Sequence, residues 1–261
     1  MSRRPGVALM LVLWLIVVLG TIGSGVVLST RSTVTLTANY RARVVARYAA
    51  ESGNAVARAA LEDSLGRITD GEARRRYLNQ LERALPGADR MALGDAQFAI
   101  ALIDVGSRVD VNRAGAAALT TLFSYFTDAI EAERVARLIR AFIDGGMDQG
   151  SMPITRETPT LQAARPLRSL DELLRIPGVP RELAERAAAF LTVDGDGTIN
   201  RATASDTVLA AAGGELRDEP SRIVIVSRGW LDGHPLTHEI QAVYAVVANE
   251  LTLVSWRERD L

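Results

Sequence analysis

GVALMLVLWLIVVLGTIGSGVVL, residues 6–28, sits between Arg4 and Arg31 with no charged residue inside it. A helix rises about 1.5 Å per residue, and roughly 20 apolar residues cross the hydrocarbon core of a bilayer. The stretch therefore reads as a membrane helix. A cleaved secretory signal has a shorter apolar core, about 7–15 residues, followed by an Ala-x-Ala-like site. Here the run is longer, and Gly23-Ser24-Gly25 is the weak small-residue alternative. Arg3 and Arg4 fit either reading.

Downstream the helix has no stop signal. Residues 31–66 contain no proline and, before Gly66, only Gly53. Leu36, Tyr40, Val44, Tyr48 and Ser52 recur every four residues, Ala55, Val56 and Ala59 continue the stripe, and Arg41, Arg43, Arg47, Glu51 and Arg58 lie largely off it. That spacing predicts one long helix, apolar all round in its first half and carrying one greasy stripe in its second, by which it would lie on a globular domain.

A short basic leader, a glycine, an apolar helix and an amphipathic continuation resemble the type IV pilin and pseudopilin class. The resemblance implies that a prepilin peptidase cuts between Gly6 and Val7 on the cytoplasmic side, leaving Val7, the methylation site of the class, as the new N-terminus. The class usually has glutamate at the fifth mature position, where this chain has Leu11. That departure is the habit of one subfamily, the K-type minor pseudopilins of type II secretion (general secretion pathway protein K, GspK). A carboxylate in hydrocarbon is costly unless paired, so an apolar Leu11 suits a subunit without a neighbour on one side. It equally suits an ordinary lipid-facing position.

The totals exclude several classes. Lys+Arg 30 against Asp+Glu 31 gives a formal net charge of −1, without the basic excess of a nucleic-acid binder. Hydrophobic residues make up 48%, enough for a real core. With no cysteine, thiol chemistry and thiolate metal sites are excluded. Arg31, Arg41, Arg43 and Arg47 outnumber Arg3 and Arg4, which by the positive-inside rule would place the domain in the cytoplasm. Those arginines sit on a continuing helix with acidic neighbours, so the short leader is given the greater weight. It predicts an inner-membrane, single-pass protein with a short cytoplasmic N-terminus and a periplasmic domain.

Along the rest of the chain, residues 71–84 read as a charged helix. Residues 96–103 read as a strand and 108–112 as its hairpin partner across the turn Asp104-Val105-Gly106-Ser107. Helices are expected over 116–125, 130–143, 169–174 (Ser169 and Glu172 forming a capping box) and 181–191. The connection from Gly145 to Pro166 is long and rich in Gly, Pro, Thr and Arg. One more helix is expected over 200–212, then strands over 222–230, 235–247 and 251–256. The fold class is α+β: an antiparallel sheet packed on the long N-terminal helix, with an all-α domain inserted between its strands. Asp110-Val111-Asn112, Ser169-Leu170-Asp171-Glu172-Leu173, and Ile199-Asn200 with Thr203-Ala204 resemble, in order, motifs of the K-type family. Its type IV pilin-like fold with an α-helical insert implies a leader over 1–6, a transmembrane half-helix over 7–30, an amphipathic helix and first strands over 31–112, an insert over 113–193, and a helix with C-terminal strands over 194–261.

Three motifs compete. Leu174-Arg175-Ile176-Pro177-Gly178-Val179-Pro180 resembles a helix-hairpin-helix, which presents backbone N–H groups to DNA phosphate. Pro180 lacks the N–H of the usual glycine, and Glu182 and Glu185 repel phosphate, so a packing unit is the better reading. Asp194-Gly195-Asp196-Gly197 resembles part of an EF-hand loop, yet Thr192 and Thr203 stand where the first and last acids belong. Asp144-Gly145-Gly146-Met147-Asp148 occupies the position of an Asp-rich, calcium-associated segment in the K-type family. The resemblance implies calcium at Asp144 and Asp148, with Glu157 as a third acid; a solvated glycine turn accounts for the same residues. No catalytic constellation is present: on a strand His234 and His238 would be roughly 13 Å apart, and there is no Gly-x-Ser-x-Gly, Walker or dinucleotide motif. The resemblance implies a structural, non-enzymatic role. The chain would be a minor pseudopilin that joins I-type and J-type partners at the tip of the pseudopilus, initiating and capping its assembly for protein export, with no nucleic acid. The alternative is a membrane-anchored helix-hairpin-helix DNA-binding protein.

Overall fold

The computed structural model describes residues 5–81, 84–85, 88–145 and 165–261, except the side chains of residues 5–8 and 22–34. The long helix is present: α1 runs from Pro5 to Arg67. Asp70 then caps α2 (Gly71–Leu78), its carboxylate accepting from Ala73 N at 2.6 Å. This helix stops at Leu78, before the expected Ala84, because Asn79 closes it with N–H bonds to Arg75 O and Tyr77 O.

Five antiparallel strands form one sheet in the order β1 (Met91–Leu93), β2 (Ala96–Asp104), β7 (Arg222–Leu231), β8 (Thr237–Val247), β9 (Glu250–Asp260). The strands' period-2 alternation gives the sheet two different faces. Phe98, Ile100, Leu102, Ile223, Ile225, Ile240, Ala242 and Tyr244 face α1 and build the main core with it. Ile103, Val105, Val224, Val226 and Val243 make a smaller cluster away from it. The insert leaves after β2 and returns at β7, two strands that lie side by side over Ala96↔Leu231 to Asp104↔Ile223. A large excursion therefore leaves the sheet's register undisturbed.

Two expectations are corrected. The first is the face of α1. The residues buried against the sheet are Ala42, Ala46, Ala49, Ala50, Gly53, Asn54, Ala57, Leu61 and Leu65. The expected greasy stripe lies on the free side, with Leu36, Tyr40, Tyr48 and Val56 exposed by 67%, 72%, 62% and 43%. The reason is proximity. A Cβ added to Gly229 on β7 would meet Ala46 O at 2.2 Å and Ala50 N at 2.4 Å. Helix and strand approach so closely that only small side chains fit between them.

The second is the hairpin. β3 (Val109–Asp110) does not pair with β2; it pairs in parallel with β4 (Leu191–Thr192). A 3-10 turn, Val105–Ser107, redirects the chain, and Val109 and Val111 enter a separate core. The partner of β2 on that side is β1, through Gly94 at φ +64°. That separate core is built by α3 (Ala116–Phe123), α4 (Ala129–Ile143) and α5 (Arg181–Ala187), with Leu119, Leu122, Phe123, Val135 and Ile139 fully buried. Ile199, Val208 and Ala211 join it from further along the chain. The expected helix over 169–174 is a 3-10 segment, Leu170–Arg175, whose Ser169 makes no side-chain cap; Glu172 instead accepts from Arg168 N at 3.4 Å. The expected helix over 200–212 begins as β5 (Ile199–Asn200), paired in parallel with β6 (Leu216–Arg217), and only then forms α6 (Asp206–Ala210).

Candidate functional site

Two parts of this fold stand out: the apolar half of α1, and the polar root where the helical insert is fixed to the sheet.

In the first part, Leu9 to Val17 and Leu19 project from α1 with large exposures, Leu11 at 66% among them. Nothing else in the described chain covers them. Gly6 and Val7 lie within α1, with their side chains outside the described set. Among the described residues no helix is long and apolar enough to cross a membrane. Within residues 6–28, side chains are described only over 9–21, shorter than the roughly 20 residues a span takes.

The second part is polar and buried. Asp104, at the end of β2, accepts from Gly106 N at 2.8 Å, from Asn200 Nδ2 at 2.7 Å and from the Thr203 hydroxyl. Asn200 Nδ2 also donates to Asn79 Oδ1 at 2.8 Å. The Ile-Asn-x-x-Thr-Ala motif is thus a clasp: its Asn and Thr hold the carboxylate at which the chain leaves the sheet. Burial pushes the Asp104 carboxyl above its ordinary pKa, against the three hydrogen bonds that favour the charged form. Asp110-Val111-Asn112 is a second clasp. Asn112 Nδ2 donates to Leu167 O at 3.0 Å and Val193 O at 3.3 Å, and Asn112 Oδ1 accepts from Leu167 N at 2.7 Å.

The EF-hand-like loop is held by arginines. Arg257 on β9 makes two bonds to the Asp194 carboxylate, at 2.7 and 2.5 Å, and Arg222 donates to Asp194 O and Gly195 O at 2.8 Å each. Asp196 accepts from Thr198 N at 2.9 Å and Thr198 Oγ1 at 2.7 Å; burial raises its pKa, but these bonds together with Ser221 and the charge of Arg222 hold it below the ordinary value. The loop is therefore a turn that pins the insert to the sheet's edge strand. Arg222 and Arg257 were not singled out from sequence, and Arg257 falls beyond the strand end expected at Trp256. Two loop acids without a terminal ligand acid were the available signal that cationic partners must exist elsewhere.

Asp144, the C-cap of α4, is engaged by Arg140 and is 57% exposed. Asp148 and Glu157 lie outside the described residues. One arginine-paired carboxylate supplies little of the six to eight oxygens calcium takes, and among the described residues no group of three acids or histidines is placed to hold a metal. His238 hydrogen-bonds Asp260 at 2.7 Å, whereas His234 lies in the turn after β7 near Asn39. In the hairpin-like motif, Gly178 at φ +86° packs against Leu138, its carbonyl accepts from Arg134 at 2.9 Å, and Val179 N donates to Ile176 O. The turn thus packs on α4 through Leu138 and Arg134, and Val179 N is engaged within it.

No protein-family model matches this chain, and no curated protein matches it in sequence. Among solved structures it is similar to a chain in the crystal structure of the GspK-GspI-GspJ complex from the enterotoxigenic Escherichia coli type 2 secretion system. The TM-score is 0.62 at 16% sequence identity, over 87% of this chain and 99% of that one. The chain thus shares the fold of that chain: a long N-terminal helix on an antiparallel sheet, here with a helical insert between neighbouring strands.

Proposed function

We propose that this chain is a minor pseudopilin of a type II secretion system, standing at the tip of the pseudopilus with I-type and J-type partners, where it initiates and caps assembly. The fold likeness to a chain of the GspK-GspI-GspJ complex carries this reading. The apolar half of α1 holds the subunit in the inner membrane before extraction and packs against neighbouring helices afterwards. Leu11 leaves no unpaired intramembrane carboxylate on a subunit that has a neighbour on one side only. The insert, fixed by the Asp104 and Asn112 clasps, adds rigid bulk above the sheet and blocks further subunits from stacking there. The role is structural, and the domain is periplasmic.

Processing tests it. Expressed with a prepilin peptidase, the protein should lose residues 1–6 and begin at Val7, read by intact mass and N-terminal sequencing. Retention of Met1 or Ser2, or cleavage beyond Leu28, overturns the reading. Calcium at Asp144, Asp148 and Glu157 belongs to the same proposal. Added Ca²⁺ should raise the melting temperature of the wild type and not of D144N, and an unchanged wild type removes calcium from the account.

A further inference from the structure

A cavity of about 260 Å³ lies between the outer face of the sheet and the root of the insert. Its floor is aliphatic: Ile103, Val224 and Val226, part of the small cluster that α1 does not cover. Its lining also includes three arginines, Arg108, Arg257 and Arg259. Arg257 is held by Asp194 and Arg259 by Glu239. Arg108, half-buried, has no side-chain hydrogen bond or ion pair among the described residues. Asp171, exposed at the opening, is likewise unpaired. Two of the three guanidinium groups are thus neutralised by their own carboxylates, and Arg108, half-buried beside the apolar floor, is the one without a partner among the described residues. Pockets for drug-sized ligands begin near 300 Å³, so this one has room for about one residue.

From this we propose that the cavity binds an aliphatic carboxylate, with the carboxylate on Arg108 and the aliphatic chain on Ile103, Val224 and Val226. A guanidinium suits this role because its planar donors match a carboxylate in a two-bond geometry. The C-terminal residue of a polypeptide and a free small carboxylate share this chemistry. The inference rests on the cavity alone and does not require the secretion reading, so either can fail without the other.

The test is isothermal titration of the full chain in maltoside micelles with N-acetyl-leucine, N-acetyl-leucinamide and Ac-Ala-Ala-Leu. N-acetyl-leucine should bind with a Kd on the order of 1 mM, the scale for so small a ligand, and the amide at least about tenfold more weakly. R108Q should lose about tenfold or more for the acid while keeping the wild-type melting temperature, since Arg108 holds nothing in place. D171N should tighten binding by removing a like charge from the opening. Tighter binding of the peptide acid assigns the source as a polypeptide C-terminus, and equal binding assigns a small carboxylate; both uphold the site. Equal binding of acid and amide, an R108Q titration matching the wild type, or no saturable heat up to about 20 mM overturns it.

Discussion

Replacing Gly229 by alanine should be among the most damaging single-methyl changes in this protein. The added Cβ would sit 2.2 Å from Ala46 O, 2.4 Å from Ala50 N and 2.9 Å from Ala49 C, all atoms of the α1 backbone. An ordinary carbon–oxygen contact is roughly 1 Å longer than the first of these. A helix backbone cannot rotate out of the way, so α1 must lift from β7 as a body. Ala42, Ala46, Ala49, Ala50 and Ala57, each 0–1% exposed, hold that interface. A gap of 0.5–1 Å forfeits about a quarter to a half of each dispersion contact. Overpacking ordinarily costs about 1–3 kcal/mol, and a clash with backbone on both sides of one turn puts G229A at the upper end, about 3 kcal/mol. Gly53 is the control. Its Cβ would meet Ser227 Oγ at 2.3 Å and Phe98 Cδ2 at 2.8 Å, both side-chain atoms. Those can shift, and alanine gains up to about 1 kcal/mol of helix propensity, so G53A should cost about 1–2 kcal/mol. Urea unfolding of the full chain in detergent, followed by tryptophan fluorescence, measures both. A G229A stability within about 0.5 kcal/mol of wild type, or one above that of G53A, refutes the close-packing argument.

Three further outcomes follow from the geometry. D104N should lose about 1–3 kcal/mol in the same unfolding assay: its amide would face Asn200 Nδ2, which already donates to Asn79. Glu239 is wholly buried, yet hydrogen bonds from Arg228, Gln241 and Arg259 outweigh that burial and hold its pKa below the ordinary value. Its contribution to stability is therefore present above the unfolded-state pKa of about 4.3 and lost as pH falls through the folded value. Stability should drop on acidification in the wild type and drop less in E239Q, read by unfolding free energies at a series of pH values. Ala248, at φ +51° in the β8–β9 turn, is the one non-glycine residue at positive φ among the described residues. A248G should gain about 0.5–1 kcal/mol, relief of left-handed strain exceeding the added chain entropy, and raise the melting temperature.

The parts of this fold legible in the sequence were those carried by local pattern. β7 and β8 announce themselves as alternating or apolar runs with Asp232-Gly233 between them, and α4 was expected over 130–143, within a residue of its observed start, although its Asp128 cap was not picked out. The fold class followed from the order of elements. What pattern could not supply was distance. Large residues on α1 read as the buried stripe, because hydrophobic size signals burial when the gap to the partner is unknown. Where α1 crosses Gly229 of β7, the small residues Ala46, Ala49 and Ala50 are the ones that fit, and larger Leu61 and Leu65 are buried only further along the helix. The alternation in Arg108-Val109-Asp110-Val111-Asn112 was genuine, but the choice of β4 as its partner is made some eighty residues away. The site shows the same division. Asp110–Asn112 and Ile199–Ala204 could be picked out as motifs, whereas their work as clasps, and the arginines that hold Asp194, depend on long-range contacts.

The central claim is that this chain assembles as a tip subunit, and the mass of the assembly tests it most directly. Co-expressed with the I-type and J-type minor pseudopilins of its own secretion system, and measured by native mass spectrometry, it should be found in a single complex holding one copy of each. Recovery of this chain alone, with the I- and J-type proteins forming their pair without it, would contradict the account.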